Sequence, residues 1–235
     1  MTTKNMEKDN NLSAHRTRSF QAIIVDGYRL YGQNFWRLLR ASWVQAVIYA
    51  LVVGASMTCF FTYLLPKMAS HQALMPELAV WIASFVAYIV VAYIFACAGA
   101  IAPLREHWHT DAISKPRRWW GRWPWRITLR GITVLPRMLW QTIRRGRLWT
   151  LIAVALVAIF VALVASVIFE LPAVILATAN IEAAADLATG DVPDMPENIW
   201  LINLATFTVC AFLQAYIHLS TLFPLYYARK MKNEE

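Results

Sequence analysis

The side chains that could do chemistry in this sequence are few and stand apart in apolar surroundings. Gln214 and His218 are four residues apart, a spacing that puts both on one face of a helix. A carboxamide and an imidazole so placed could bind a polar ligand or relay a proton. They could equally tie neighbouring helices together by hydrogen bonds. Glu170 is a carboxylate near the end of another apolar run, about ten residues from its middle and so about 15 Å away by helical rise, which places it at an outer interface where it reaches water. Glu106, His107, Trp108, His109, Thr110 and Asp111 follow one another and include metal-capable groups. Adjacent and alternate residues of a helix point in different directions, so these could converge only in a loop. HExxH, a Walker-type loop, a nucleophile elbow and GxGxxG are all missing from the sequence. Cys59, Cys97 and Cys210 each lie inside an apolar run, where a thiol packs as a small hydrophobe and the spacing fits no metal knuckle. No catalytic residue, metal or cofactor is assigned.

The densest chemical signal is the run RRWWGRWPWR, in which Arg117, Arg118, Arg122 and Arg126 interleave with Trp119, Trp120, Trp123 and Trp125, followed by Arg130. Alternating aromatic and cationic residues can stack on and neutralise single-stranded nucleic acid. They also suit a bilayer surface, where tryptophan settles at headgroup depth and arginine pairs with phosphate. Two membrane-length runs flank the segment, so anionic lipid is the nearer polyanion and nucleic acid is disfavoured. These nine residues are the expected lipid-binding site.

The elements that must position such residues follow from bilayer dimensions. A hydrocarbon core of about 30 Å needs about 20 helical residues at about 1.5 Å each. Four segments meet that length, from about Trp43 to Leu65, Leu78 to Ala102, Trp149 to Leu171 and Ile199 to Phe223, and none has Lys or Arg in its interior. With 59% hydrophobic and 15% charged residues, the 235-residue chain lies outside the composition of ordinary soluble domains and leaves no stretch for a separate aqueous core. Of 22 Lys and Arg, 21 fall on one side of the implied topology, and Lys67 alone falls on the other. The loop between the third and fourth spans is acidic instead. The positive-inside rule then puts both termini, and the segment between the second and third spans, in the cytoplasm. The polar N-terminus reads as a disordered tail rather than a secretory signal.

Two basic segments precede the first and third spans, each with apolar and polar residues separated at helical spacing. In the first, Phe20, Ile24, Gly27, Tyr28, Tyr31, Phe35, Leu38 and Leu39 oppose Asp26, Arg29, Gln33, Arg37 and Arg40. In the second, Trp125, Leu129, Ile132, Leu135, Leu139, Trp140 and Ile143 oppose Arg126, Arg130, Thr133, Arg137, Gln141 and Arg144, with Pro136 bending the helix. Both are expected to lie in the cytoplasmic interface. Gly27 matches Gly131, Trp36 matches Trp140 and Arg40 matches Arg144 at one offset, so the chain reads as a parallel tandem repeat related by an axis along the membrane normal. Small residues four apart, among them Ala50 and Gly54, Ala158 and Ala162, and Ala211 and Ala215, predict close helix contacts. After Pro172 a second helix is expected to resume on the outer surface and to end at Gly190.

The expected fold is therefore all-α and polytopic, with four transmembrane helices and two cytoplasmic interfacial amphipathic helices. Residues 1–18 form the tail, 19–110 the first half, and 111–235 the second half with its acidic outer loop at 172–198. The segments IIVDGYRLYGQNFWRLL and FPLYYARKM resemble the boundaries of uncharacterised bacterial polytopic integral membrane proteins, some similar to the membrane region attached to glycerophosphodiester phosphodiesterases. That resemblance implies a bacterial inner (cytoplasmic) membrane and says nothing of a substrate. Three functions fit. The first is a membrane scaffold or accessory subunit that contacts anionic lipid and either protein partners or further copies of itself. The second is a small transporter subunit, if Gln45, Asn203, Gln214 and His218 meet in one cavity. The third is a lipid-modifying enzyme using His107 and His109.

Overall fold

The computed structural model describes residues 20–69, 75–109, 140, 143–144, 148–191 and 195–228. Every regular element among them is helical. The elements are α1 (Phe20–Cys59), a π-helical turn (Phe60–Leu64), α2 (Leu65–Ala69), α3 (Met75–His109), α4 (Leu148–Thr189), α5 (Ile199–Ser220) and α6 (Leu222–Ala228). Four stretches are long and apolar enough to cross a membrane, Ser42–Ala69, Leu78–Phe95, Leu148–Thr189 and Ile199–Leu225, as a multi-pass membrane protein requires. In hydrocarbon a helix satisfies its own backbone, which is why such runs adopt no other structure.

Three boundaries differ from the sequence expectation. The basic segment at 20–41 runs without a break into the first span as part of the 40-residue α1. Its apolar face is covered by protein: Ile23, Leu30 and Leu38 are buried in one core with Leu219 and Phe223. Contact with α5 and α6 therefore fixes its direction, where an isolated amphipathic helix would have only lipid to rest on. The helix expected to stop at Pro172 instead continues through it to Thr189, giving 42 residues. Stopping inside apolar surroundings would leave several carbonyls unsatisfied, a larger loss than the one hydrogen bond that proline removes. At about 1.5 Å per residue α4 is about 63 Å long, twice the hydrocarbon thickness, so it tilts or projects. It ends as expected at Gly190, whose φ of +88° suits the residue after a helix. The third difference is the π-helical turn. Pro66 cannot donate to the carbonyl four residues back. The turn before it widens, and the Leu65 N–H reaches back five residues to the Phe60 carbonyl.

Packing places the spans in the order α3, α1, α5, α4, with α6 folded back on α1 and α4. The α1–α5 interface is the most extensive, so the two sequence halves share one core. Close approach of α1 to α6 and to α5 depends on two glycines. A Cβ on Gly27 would stand 2.6 Å from the Pro224 Cα, and one on Gly54 would stand 3.0 Å from the Thr208 Cα. The small-residue pairing expected at Ala50 and Gly54 lies here, and Ala158, Ala162, Ala211 and Ala215 are also buried. Aromatic rings fill the α1–α3 side, where Tyr49 stacks on Phe95 and Phe60 packs against Trp81.

Of the positions matched by the internal repeat, Trp36 and Trp140 are 69% and 66% exposed. Gly131 lies outside the described residues, as does nearly all of the second basic segment. A rotation about the membrane normal would pair α3 with α4 as α1 pairs with α5. Among the described residues α3 and α4 scarcely touch. The observed order of spans matches two hairpins laid side by side.

Candidate functional site

The polar groups of the spans gather on the inner faces of α1, α4 and α5, because lipid on the outer faces offers them no partner. Three ties result. At the end of the bundle away from the basic residues of α1, Asn180 of α4 and Asn203 of α5 exchange amide hydrogen bonds: Asn180 Nδ2 donates to Asn203 Oδ1 at 2.9 Å, and Asn203 Nδ2 donates to Asn180 Oδ1 at 3.0 Å. Asn203, fully buried, also donates to Thr62 Oγ1 in the π-helical turn at 3.4 Å, so three elements are joined at one point. Asn180 makes a further bond to the Leu176 carbonyl. In this way the irregular turn caused by Pro66 gains a polar contact across the bundle.

The second tie joins α4 to α5 through Gln214 Nε2, which donates to Glu170 Oε1. The sequence placed Glu170 at the outer interface because it ended the span at Leu171. In the structure α4 continues for 19 residues beyond Glu170, and its partner Gln214 lies well inside the Ile199–Leu225 span. By helical rise Gln214 is about 22 Å from Ile199 and about 17 Å from Leu225. Glu170 therefore sits within the bundle's apolar length. Tyr49 of α1 and both Cys210 and His218 of α5 interact with it electrostatically.

The third tie lies toward the end of the bundle that carries the basic residues of α1. Tyr31 donates its hydroxyl to the Tyr216 carbonyl at 2.8 Å, and the Tyr216 and Ser42 hydroxyls lie 3.5 Å apart. Tyr28 reaches across to the Ala158 carbonyl of α4 at 3.4 Å. Burial, and then the neighbouring Tyr216, push the Tyr31 phenol well above its ordinary pKa, so it remains a neutral donor through the physiological range. On the other flank of α1 the Tyr49 and Tyr88 hydroxyls bond at 3.2 Å, joining α1 to α3.

These contacts assign the residues anticipated from sequence. Gln214 is engaged, but with Glu170 and not with His218. The His218 side chain is exposed, and its carbonyl accepts from the Thr221 hydroxyl. Gln45, Asn203, Gln214 and His218 do not converge, since Asn203 and Gln214 have separate partners along α5. Arg117, Arg118, Trp119, Trp120, Arg122, Trp123, Trp125, Arg126 and Arg130 lie outside the described residues. The helix α3 runs through His109, so the stretch read as able to converge only in a loop is helical up to that residue; its side chains lie outside the description. Cys59 and Cys210 are free thiols, exposed and buried respectively.

Sequence reasoning missed Glu170 as a partner of Gln214, and missed the Asn180–Asn203 pair altogether. One signal was available: positions 180 and 203, and 170 and 214, are nearly equidistant from the intervening turn, as antiparallel neighbours must be. The exposed face of the α1 extension is Arg29, Gln33, Trp36, Arg37 and Arg40, a continuous basic stripe opposite the buried residues. Comparison with known proteins adds no relative: no family model, no curated protein and no solved structure matches the chain.

Proposed function

We propose that this protein is an integral membrane scaffold or accessory subunit of the bacterial inner membrane, with both termini in the cytoplasm. Its basic helices hold anionic lipid and dock a membrane partner. The observation that carries this reading is the α1 extension. Residues 20–41 are fastened to α5 and α6 by Ile23, Leu30, Leu38 and the Tyr31 bond, so Arg29, Arg37 and Arg40 are offered on a firm support. The Trp/Arg run at 117–130 would add a second cationic surface on the same side, in keeping with the 21 cations counted there. Each cation near an anionic surface contributes about 1 kcal/mol. Asn180, Asn203, Glu170, Gln214 and Tyr49 serve helix-to-helix ties, which suits a scaffold better than a solute path.

The test uses the full-length protein in nanodiscs and Arg29→Gln, Arg37→Gln and Arg40→Gln combined. Native mass spectrometry should show anionic phospholipid retained by the parent at low salt and reduced in the variant. Retention that does not change with the three substitutions, or that is equal for zwitterionic lipid, would reject the lipid-holding role.

A further inference from the structure

The antiparallel register of α4 and α5 is set at two points, by the Asn180–Asn203 exchange and by the Gln214 donation to Glu170. Ser166 lies four residues before Glu170 on α4, and His218 lies four residues after Gln214 on α5. Each helix therefore carries two polar side chains on one face, one turn apart, and the register brings the two pairs to the same levels. This group lies near the middle of the bundle's apolar length, since Gln214 is about 22 Å from Ile199 and about 17 Å from Leu225 by helical rise.

Its needs are not met by the described residues. One Glu170 oxygen accepts from Gln214, a neutral donor that leaves the carboxylate charge unbalanced. Ser166 Oγ, on a side chain 4% exposed, has no hydrogen-bond partner among the described residues. A charge and a polar oxygen at that depth are costly without partners. Lys67 is the one Lys or Arg in the sequence of the four spans, and it stands two residues from the end of the first. It follows Thr62, which is bonded at the Asn180–Asn203 level, so it lies farther still from Glu170.

The group can also be approached from the lipid. Glu170 is half-buried and His218 is exposed. Val167 and Val174, one turn to either side of Glu170 on α4, are exposed as well and give another helix a surface to pack on. A carboxylate in hydrocarbon calls for a cation, and a cationic side chain at that depth belongs to an element that itself crosses the bilayer. A lysine ammonium has three donors, enough for the second carboxylate oxygen and Ser166 Oγ together. Its slender stem suits the apolar residues around them. A second copy of this chain would bring no Lys or Arg to this level, only another carboxylate and another imidazole.

We propose that the α4–α5 face at Glu170 docks a transmembrane helix of a partner protein that carries a lysine at mid-bilayer depth. Glu170 supplies the opposite charge, Ser166 a second acceptor, and Gln214 holds the carboxylate in place. This names the partner chemistry of the scaffold reading and rests on it, while drawing on none of the basic residues assigned to lipid.

The experiment measures energy transfer from the tryptophans of the full-length protein to a dansyl-labelled model helix of about 20 leucine and alanine residues with one central lysine. Nanodiscs of zwitterionic lipid keep the lipid-holding role out of the signal. The parent should bind the lysine helix saturably and about tenfold more tightly than the same helix with leucine at its centre. That comparison needs no variant to fold. Glu170→Gln should erase the preference and Ser166→Ala should weaken it, whereas Ser84→Ala, on an exposed part of α3, should keep it. Arg29→Gln, Arg37→Gln and Arg40→Gln combined should also keep it, so loss of lipid retention and loss of helix docking are read separately. Equal binding of the two helices would overturn the proposal, as would a lysine preference that survives in Glu170→Gln. Self-association of the parent that Glu170→Gln abolishes and the lysine helix does not compete with would assign the face to a second copy and overturn the partner helix.

Discussion

Gly27 and Gly32 allow the same substitution to be made twice in one helix with opposite expected outcomes. Both glycines lie within α1, so replacement by alanine gives each the same gain in helix propensity, about 1 kcal/mol. At Gly32 nothing stands within 4 Å of the new Cβ, and the gain should appear undiminished. At Gly27 the new Cβ would lie 2.6 Å from the Pro224 Cα and N, whereas ordinary contact begins near 3.4 Å. Backbone atoms must therefore part by about 0.8 Å, the difference between those two distances. Neither can rotate away as the end of a side chain would. Overpacking of this kind costs about 1–3 kcal/mol. Gly27→Ala should accordingly fall between neutral and about 2 kcal/mol destabilised once the propensity gain is subtracted. The two variants should differ by the contact alone. Chemical or thermal unfolding followed by tryptophan fluorescence in nanodiscs measures both. Stability of Gly27→Ala equal to or above that of Gly32→Ala would refute the packing of the α1 extension on α6.

Other consequences can be checked in the same preparation. Asn180→Ala and Asn203→Ala should each destabilise, and a double-mutant cycle should return a coupling of about 0.6 kcal/mol, up to about 1.7, as found for interhelical hydrogen bonds in membranes; additive effects would show that the reciprocal amide bonds carry no shared energy. Tyr31→Phe should cost about 0.5–1.5 kcal/mol at neutral pH by loss of the bond to the Tyr216 carbonyl. Because the folded Tyr31 pKa is raised, its proton-linked stability is fully present below the unfolded value of about 10 and declines as pH rises above it. The parent should therefore lose stability faster than Tyr31→Phe above that pH, and parallel pH profiles would contradict the burial of the phenol. Gly54→Ala should destabilise through the Thr208 backbone, which unfolding midpoints would report.

The spans were legible because hydrocarbon imposes one structure on any long apolar run, and the absence of Lys and Arg from their interiors marks the limits. Their ends away from the basic segments were less so. Pro172 signals a stop in water, but the same residue is carried through when neighbouring helices and lipid leave the chain no better conformation. Misreading that end displaced Glu170 from the bundle's interior to its rim and hid its pairing with Gln214. The α1 extension is helical, and of its expected apolar stripe Gly27 and Leu38 are buried while Phe20 is exposed; the buried Ile23 and Leu30 were not on that stripe. Periodicity cannot say whether protein or lipid covers such a face. The structure gives that answer through Ile23 and Leu30, which share one buried core with Leu219 and Phe223. Tyr216 and Pro224 are far from α1 in sequence, so nothing local announces that they receive it.

The central claim is that α1 crosses the bilayer once and that its fastened basic face lies in the cytoplasm. It is tested most directly by fusing a reporter active only in the cytoplasm after Glu235, within residues 111–122, and near Asp191. Activity is expected at the first two positions and none near Asp191. Activity near Asp191, or silence at either of the others, would contradict the topology and remove the basic face from the compartment where the scaffold is proposed to act.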